Sequence, residues 1–454
     1  MTQMQWELAP IESICLGLYD GPHATPKPAE EGPIFLGIKN LTEDGHLDLS
    51  EIRHISEEDF PTWTRRVLPQ PGDIVFTYEA TLNRYAIIPE NFRGCLGRRL
   101  ALLRPNPRRV NTRYLLFYFL GDEWRRTITS NMILGSTVDR IPLISFPKFK
   151  VRLPPLPIQR KIAEILSAYD DLIENNRRRI AILEEMAQML YQEWFVKFRF
   201  PGHEQVPLVE SELGMIPQGW RVVKLGDIAY EVRRSVNPEA VDSETPYLGL
   251  EHLPRKSIAI SEWGIAREVQ STKLLFKQGE ILFGKIRPYL HKVGVAPMDG
   301  VCSSDTIVIL PKLELFFALI LCCVFSDNFI SYASKTAQGT QMPRANWDVL
   351  AKYPLVLPPE SIIFRFEKSI RDFVISIRNL IFRNRNLRRA RDMLLPKLIS
   401  GEIDVSSWVA WDAGAAGNEA LAAMAAPVAR RVLRESPPIE PIDASKLERR
   451  SLWE

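Results

Sequence analysis

Cysteine is scarce in this chain of 454 residues. Its five copies, Cys15, Cys95, Cys302, Cys322 and Cys323, form no CxxC pair and sit among apolar or small residues. This excludes a disulfide-stapled scaffold and predicts a reduced, cytoplasmic protein. Histidine is almost as scarce. His23, His46, His54, His203, His252 and His291 show no metal-ligand spacing, so no metal is expected. Excess charge is missing too: 58 Lys and Arg against 55 Asp and Glu leave +3, too little to argue for nucleic acid by itself. The longest apolar run, 315–325, is too short to span a bilayer and reads as a buried helix. No signal peptide is read at the start. With 46% hydrophobic and 25% charged residues, an ordinary globular protein of two to four domains is expected.

Catalytic signatures are absent as well. Residues 279–285 (GEILFGK) fill the first seven positions of a phosphate-binding P-loop, but Ile286 stands where Ser or Thr must reach a metal. The run is strand-like, and its counterpart at 71–80 (PGDIVFTYEA) has no lysine, so a glycine turn entering a strand is expected. An amino-methyltransferase needs Asn- or Asp-Pro-Pro-aromatic to grip an extruded base, and 436–439 (SPPI) lacks both amide and aromatic. No GxSxG elbow occurs. The chain is expected to hold no catalytic centre and no cofactor of its own.

What is present is one long rod. Residues 157–198 have no Pro or Gly after the first position and are rich in Leu, Ile, Glu, Arg and Ala, which predicts one continuous helix. Alternating steps of four and three residues pick out Ile158, Ile162, Ile165, Tyr169, Leu172, Asn176, Arg179, Leu183, Met186 and Leu190. This seam is apolar except at Asn176 and Arg179, the pattern of a coiled coil. At 1.5 Å per residue the rod is roughly 60 Å long. A second rod repeats the alternation with Ile363, Phe366, Ile370, Phe373, Ile377, Leu380, Asn384, Leu387, Arg391 and Leu394. Each rod is entered through LPP, which suggests that the two pack on each other; two unrelated surface helices are the simpler alternative. Pairing Asn176 with Asn384 in an antiparallel arrangement sets the start of one rod opposite the end of the other. These two amides are therefore expected to face each other near mid-rod.

The repetition extends beyond the rods. Residues 6–14 (WELAPIESI) are echoed by 220–228 (WRVVKLGDI), and 33–41 (PIFLGIKNL) by 246–253 (PYLGLEHL). PGDIVFT at Pro71 returns as QGEILFG at Gln278. Two apolar helical stretches, 114–130 and 318–334, precede turns ending in Arg140 and Arg344. Gly135 to Gly339, Arg140 to Arg344 and Leu153 to Leu357 are each 204 residues apart. The chain is thus read as two units of about 200 residues, each a mixed, mostly β globule followed by a long helix. The link 199–219 is rich in Pro and Gly and is expected to be extended and exposed. The end of the chain beyond 405 reads as a tail with one short helix at 419–434.

Candidate binding residues fall at matched places in the two units. Lys285, Arg287, Tyr289, His291 and Lys292 follow a strand, and Arg84, Tyr85, Arg98 and Arg99 occupy the equivalent part of the first unit. Lys39, Thr77, Tyr78, Ser136, Thr137 and Arg140 complete the first set; His252, Thr340, Gln341 and Arg344 complete the second. Basic side chains mixed with aromatics suit phosphate contact, with Arg preferring guanine and Gln or Asn preferring adenine. Taken singly, each cluster also reads as a solvated loop. The run Arg383, Arg385, Arg388, Arg389 and Arg391 suits DNA, an acidic partner helix, or solvent.

The motifs LPPLPIQRKIAEILSAYDDLIENNRRRIAILEEMAQMLYQEWFVKFRFPGHE, IPQGWRVVKLGDIA and LPPE…NLRRARDMLLPKLISGEIDV resemble the specificity subunits of type I restriction-modification systems, over residues 1 to about 405. The resemblance implies an α+β fold with two target recognition domains, 1–152 and 218–356. Two long antiparallel coiled-coil helices, 153–198 and 357–402, relate them by pseudo-twofold symmetry, with a linker at 199–217 and a tail at 403–454. It also implies that each domain reads one half of a bipartite site in double-stranded DNA, while the helices set the spacing. Partners implied are two modification subunits, which methylate adenine with S-adenosylmethionine, and ATP-dependent restriction subunits. The second rod departs from the first at its centre, with NLIFRNRN in place of a run like NNRRRI. Two other classes compete: a fused methyltransferase or nuclease, which lacks its required motifs here, and a coiled-coil scaffold without DNA readout.

Overall fold

The structure, a computed structural model, describes residues 6–134 and 138–406. The fold is α+β, in two compact units. Unit 1 takes in the described residues up to Leu172 and from Leu387 onward, and unit 2 is Ile173–Asn386. The boundary therefore cuts through both long helices. The helix expected at 419–434 and nearly all of the tail lie outside the described residues.

Unit 1 runs β1 (Glu7–Pro10), α1 (Ile11–Ile14), β2 (Cys15–Asp20), β3 (Ala29–Leu36), β4 (Arg53–His54), α2 (Phe60–Trp63), β5 (Ile74–Thr77), β6 (Tyr85–Ile87), β7 (Gly94–Leu96) and β8 (Leu100–Pro105). Helices α3 (Thr112–Leu120) and α4 (Asp122–Asn131), strand β9 (Lys150–Leu153) and the long α5 (Leu156–Tyr191) follow. An antiparallel sheet has the order β2-β8-β5-β6, a smaller sheet the order β4-β3-β7, and β1 pairs with β9. Strand β5 is buried throughout because both its faces are covered. Ile74 and Phe76 enter a core shared with α3 and α5, while Val75 enters a second core with Leu36, Leu41 and Leu96.

Unit 2 opens with the hairpin β10 (Leu208–Ser211) and β11 (Gly214–Pro217). It continues through β12 (Arg221–Lys224), α6 (Leu225–Ile228), β13 (Ala229–Val232), β14 (Arg234–Val236), β15 (Pro246–Leu248), β16 (Gly264–Ile265), β17 (Lys273–Phe276) and β18 (Ile281–Gly284). Then come β19 (Val293–Val295), β20 (Gly300–Cys302), β21 (Thr306–Pro311), α7 (Phe317–Val324), α8 (Asp327–Thr336), α9 (Trp347–Leu350), β22 (Pro354–Leu357) and the long α10 (Glu360–Ile399). Its four-stranded sheet has the order β13-β21-β18-β19, position for position that of unit 1, and β12 pairs with β22 as β1 does with β9. The parallel pairing of β3 with β7 returns as β15 with β20. Alternation in β18 again serves two cores: Ile281 and Phe283 face one, Leu282 the other.

The glycine-acid turns before β5 and β18 have a common cause. Gly72 and Gly279 take φ of +87° and +86°, which side chains with a Cβ rarely adopt. The acid then closes the turn: Asp73 accepts from the Gln70 amide, and Glu280 from the Lys277 amide, each at 2.8 Å. Each carboxylate also takes a two-pronged bond from an arginine on a sheet strand, Arg104 for Asp73 and Arg234 for Glu280. Residues 279–285 are thus a turn and a strand.

The LPP entry works through Gln159, which is buried. Its amide group donates to the Pro154 carbonyl at 2.8 Å, and its carbonyl oxygen accepts from the Asn111 amide at 2.8 Å. Helix α5 ends in a π-helical turn at Gln192–Val196, and Phe198 with φ of +58° turns the chain away. Within unit 2 the two long helices run antiparallel. Asn176 Nδ2 donates to Asn384 Oδ1 at 2.8 Å, in the expected face-to-face placement, and Phe366 packs against both Trp194 and Phe195. Within unit 1, Asp170 on α5 pairs with Arg391 on α10.

Two sequence expectations need correction. Stretches 114–130 and 318–334 each break into two helices. Extended backbone at Gly121 starts α4, and the Ser326 hydroxyl accepts from the Phe329 amide to start α8. Beyond Asn176 the buried face of α5 moves by one residue. Ile180 and Ala187 are buried, whereas Arg179 and Met186 face outward. Two successive steps of four follow the natural 3.6-residue period, which a strict heptad does not.

Candidate nucleic-acid interface

In unit 1 the chain leaving β5 meets the turn before β8 and the segment after α4. The Tyr78 amide donates to the Arg99 carbonyl at 3.2 Å, and the Ile141 amide to the Tyr78 carbonyl at 2.7 Å. Arg140 bridges both Glu79 and Ile133 through its backbone. Unit 2 repeats this junction bond for bond. Lys285 donates to Asp305 at 2.8 Å, Ala345 to Lys285 at 3.0 Å, and Arg344 bridges Ile286 and Gln338. These bonds make Tyr78 equivalent to Lys285, Arg99 to Asp305, and Arg140 to Arg344. One frame therefore carries different side chains at two of these three positions and arginine in both units at the third.

The loop leaving each strand is strained in the same way. Ala80 and Asn83 in unit 1, and Arg287 and His291 in unit 2, have φ between 50° and 70°. Such conformations are held by surrounding structure and cluster at functional sites. His291 does the holding in unit 2: it is buried, and its Nε2 donates to the Phe325 carbonyl at 2.8 Å. Burial lowers its pKa, which keeps the imidazole neutral. The loop then presents Arg287 and the exposed Tyr289, with the Arg287 amide donating to the Pro343 carbonyl at 2.8 Å. Lys285 sits deeper, 3.9 Å from the buried carboxylate of Glu231 and 3.1 Å from the Ser304 carbonyl. Burial pushes its ammonium below the usual lysine range, opposed by Glu231.

The expected contact residues thus divide. Arg98, Arg140, Arg287, Tyr289, Thr340, Gln341 and Arg344 are exposed around the two junctions. Lys39 is exposed as well. Arg84, Arg99, His252, Lys285 and Lys292 are half-buried and partly engaged: Arg84 with the Leu41 carbonyl and Glu43, Arg99 with Glu79, Lys292 with the Leu250 carbonyl. His252 accepts from the Gly249 amide. Thr77, Tyr78, Tyr85 and His291 are buried and serve the fold. Tyr85 accepts from Trp124 Nε1 at 2.8 Å, and the Tyr78 hydroxyl donates to the Arg98 carbonyl. Their place beside basic residues in sequence hid the inward-pointing alternation of the strands. Ser136 and Thr137 lie outside the described residues. Sequence reading missed Glu79, Glu231 and Asp305, acids that orient the basic groups and carry no periodic or motif signal. In the arginine run of α10, Arg391 is held by Asp170 and Arg385 stacks over Trp263.

Comparison with known proteins follows this geometry. Residues 40–185 match the family described as Type I restriction modification DNA specificity domain. It is 27% identical over 368 residues to the type I restriction enzyme MjaIX specificity subunit of Methanocaldococcus jannaschii, covering 78% of this chain and 82% of that one. It is 26% identical over 322 residues to the EcoDI specificity subunit of Escherichia coli, covering 65% and 70% respectively. The crystal structure of the type I restriction-modification S subunit from M. genitalium superposes with a TM-score of 0.53 at 14% identity, over 88% of this chain and 97% of that one. The chain is thus similar, over most of its length, to specificity subunits of type I restriction-modification systems.

Proposed function

We propose that this chain is the non-catalytic subunit that supplies DNA sequence specificity to a type I restriction-modification enzyme, and that each unit reads one half of a bipartite site. The observation carrying this reading is the duplicated junction, where one backbone frame holds Arg99 and Arg140 in unit 1 and Asp305 and Arg344 in unit 2. A shared frame with exchanged side chains suits two readers of different sequences. The long helices, as an antiparallel coiled coil with an internal pseudo-twofold, would hold the readers at a set spacing and dock two modification subunits. Restriction subunits would complete a cytoplasmic complex. Adenine methylation and ATP-dependent cleavage belong to those partners. The test is to replace residues 218–356 with the equivalent region of a relative and map methylated adenines in cells carrying the full system. One half of the site should change and the other persist; a change in both halves refutes modular readout.

A further inference from the structure

We infer that Arg344 reads a guanine in the half-site of unit 2, with Asp305 as its positioning residue; this rests on the DNA-reading role proposed above. Arg344 stands at the corner of the unit 2 junction, its side chain 54% exposed. Its backbone is fixed on two sides, by bridges to Ile286 and to Gln338. Its Nε donates to Asp305 Oδ1 at 3.2 Å. Asp305 is itself held, because its carbonyl takes the Lys285 amide and its own amide donates to the Ser303 hydroxyl.

An arginine gripped at Nε keeps its guanidinium plane fixed while both terminal Nη groups remain available. That fork matches the O6 and N7 acceptors of guanine in the major groove, and a preorganised fork loses less rotational freedom on binding. A phosphate contact would not need the plane defined. Unit 1 lacks the device. The position equivalent to Asp305 is Arg99, whose guanidinium lies 4.0 Å from Glu79, so Arg140 has no carboxylate at the matching place. Among the described residues, the carboxylate-buttressed corner arginine is therefore found at Arg344 and not at the matching Arg140.

The test uses the complete system in cells, with methylated adenines mapped for Arg344→Lys, Arg344→Ala and Asp305→Asn. Lysine keeps the charge but cannot form the fork. Arg344→Lys should lower discrimination at a single guanine position of one half-site by about 10- to 100-fold, the other half unchanged. Asp305→Asn should relax the same position by a smaller factor, and Asp305→Glu should restore it in part. Binding of the complex to duplex DNA should keep its salt slope in Arg344→Lys. A uniform fall in affinity with unchanged base preference would make Arg344 a phosphate contact and overturn the inference. So would an unchanged site in all variants. Either failure leaves the broader reading standing if exchange of 218–356 still alters one half-site.

Discussion

Glu184 illustrates how one half-buried acid serves the fold. On α5 it accepts from the Ser257 hydroxyl at 2.7 Å and from the amides of Ile258 and Ala259 at 2.7 and 3.1 Å, tying a loop of the unit 2 globule to the helix. Burial raises its pKa, and the three hydrogen bonds oppose that without cancelling it. The sign follows from proton counts. Below the ordinary glutamate range both folded and unfolded chains are protonated. As pH rises through that range the unfolded chain ionises first, and stability falls until the raised folded value is passed. Glu184→Gln keeps an acceptor oxygen and removes the titration. Its unfolding free energy should therefore decline less than the parent's across the ordinary glutamate range and just above it. Denaturant titrations at a series of pH values check this; parallel profiles would count against it. Four of the contact residues read from sequence, Thr77, Tyr78, Tyr85 and His291, met a similar fate at this scale. Tyr85 and His291 sit in basic, aromatic-rich runs, yet strand alternation and a turn carry them inside.

At the scale of elements, the long helices are governed by two polar contacts in apolar surroundings. Asn176 and Asn384 are buried and bonded to each other, and Asn384 Nδ2 also reaches the Ile173 carbonyl at 3.3 Å. An amide pair of this kind fixes register at some expense in stability, because sliding would bury each amide against hydrocarbon. Replacing either residue alone with Leu should cost about 1–3 kcal/mol by leaving the other amide unpaired. Replacing both should preserve or raise thermal stability while allowing more than one half-site spacing in the methylation map. A double variant with a single, unchanged spacing would show that register is held elsewhere, as at Asp170 and Arg391. Helix existence and the Asn pairing were legible from periodicity, since both depend on local spacing. The one-residue drift after Asn176 was not, because a heptad imposed on the sequence hides the 3.6-residue period.

For the molecule as a whole, the proposed function lies in what the chain presents to DNA and to partner subunits. Among the described residues no three His, Cys, Asp or Glu side chains converge as metal ligands, and no single helix is long and apolar enough to cross a membrane. The sequence holds neither a base-gripping tetrapeptide nor a complete phosphate loop. The purified chain, given S-adenosylmethionine, ATP and magnesium, should neither methylate nor cleave DNA. Tritiated methyl transfer and plasmid nicking assays check this, and measurable methylation would contradict assignment of that chemistry to a partner.

Sequence alone determined the period, the two rods, the paired glycine-acid turns and the family resemblance. Each is carried by residues near one another in the chain, or by a repeat that can be aligned by eye. Tertiary structure decided which basic residues reach the surface and which acids aim them. Asp305 and Arg344 are 39 residues apart, and only the meeting of β18, the turn before β21 and the segment after α8 brings them together. The equivalence of Tyr78 with Lys285, and of Arg99 with Asp305, likewise rests on backbone hydrogen bonds rather than on residue type. No pattern of side chains announces it, because the frame is conserved by peptide geometry while its side chains differ.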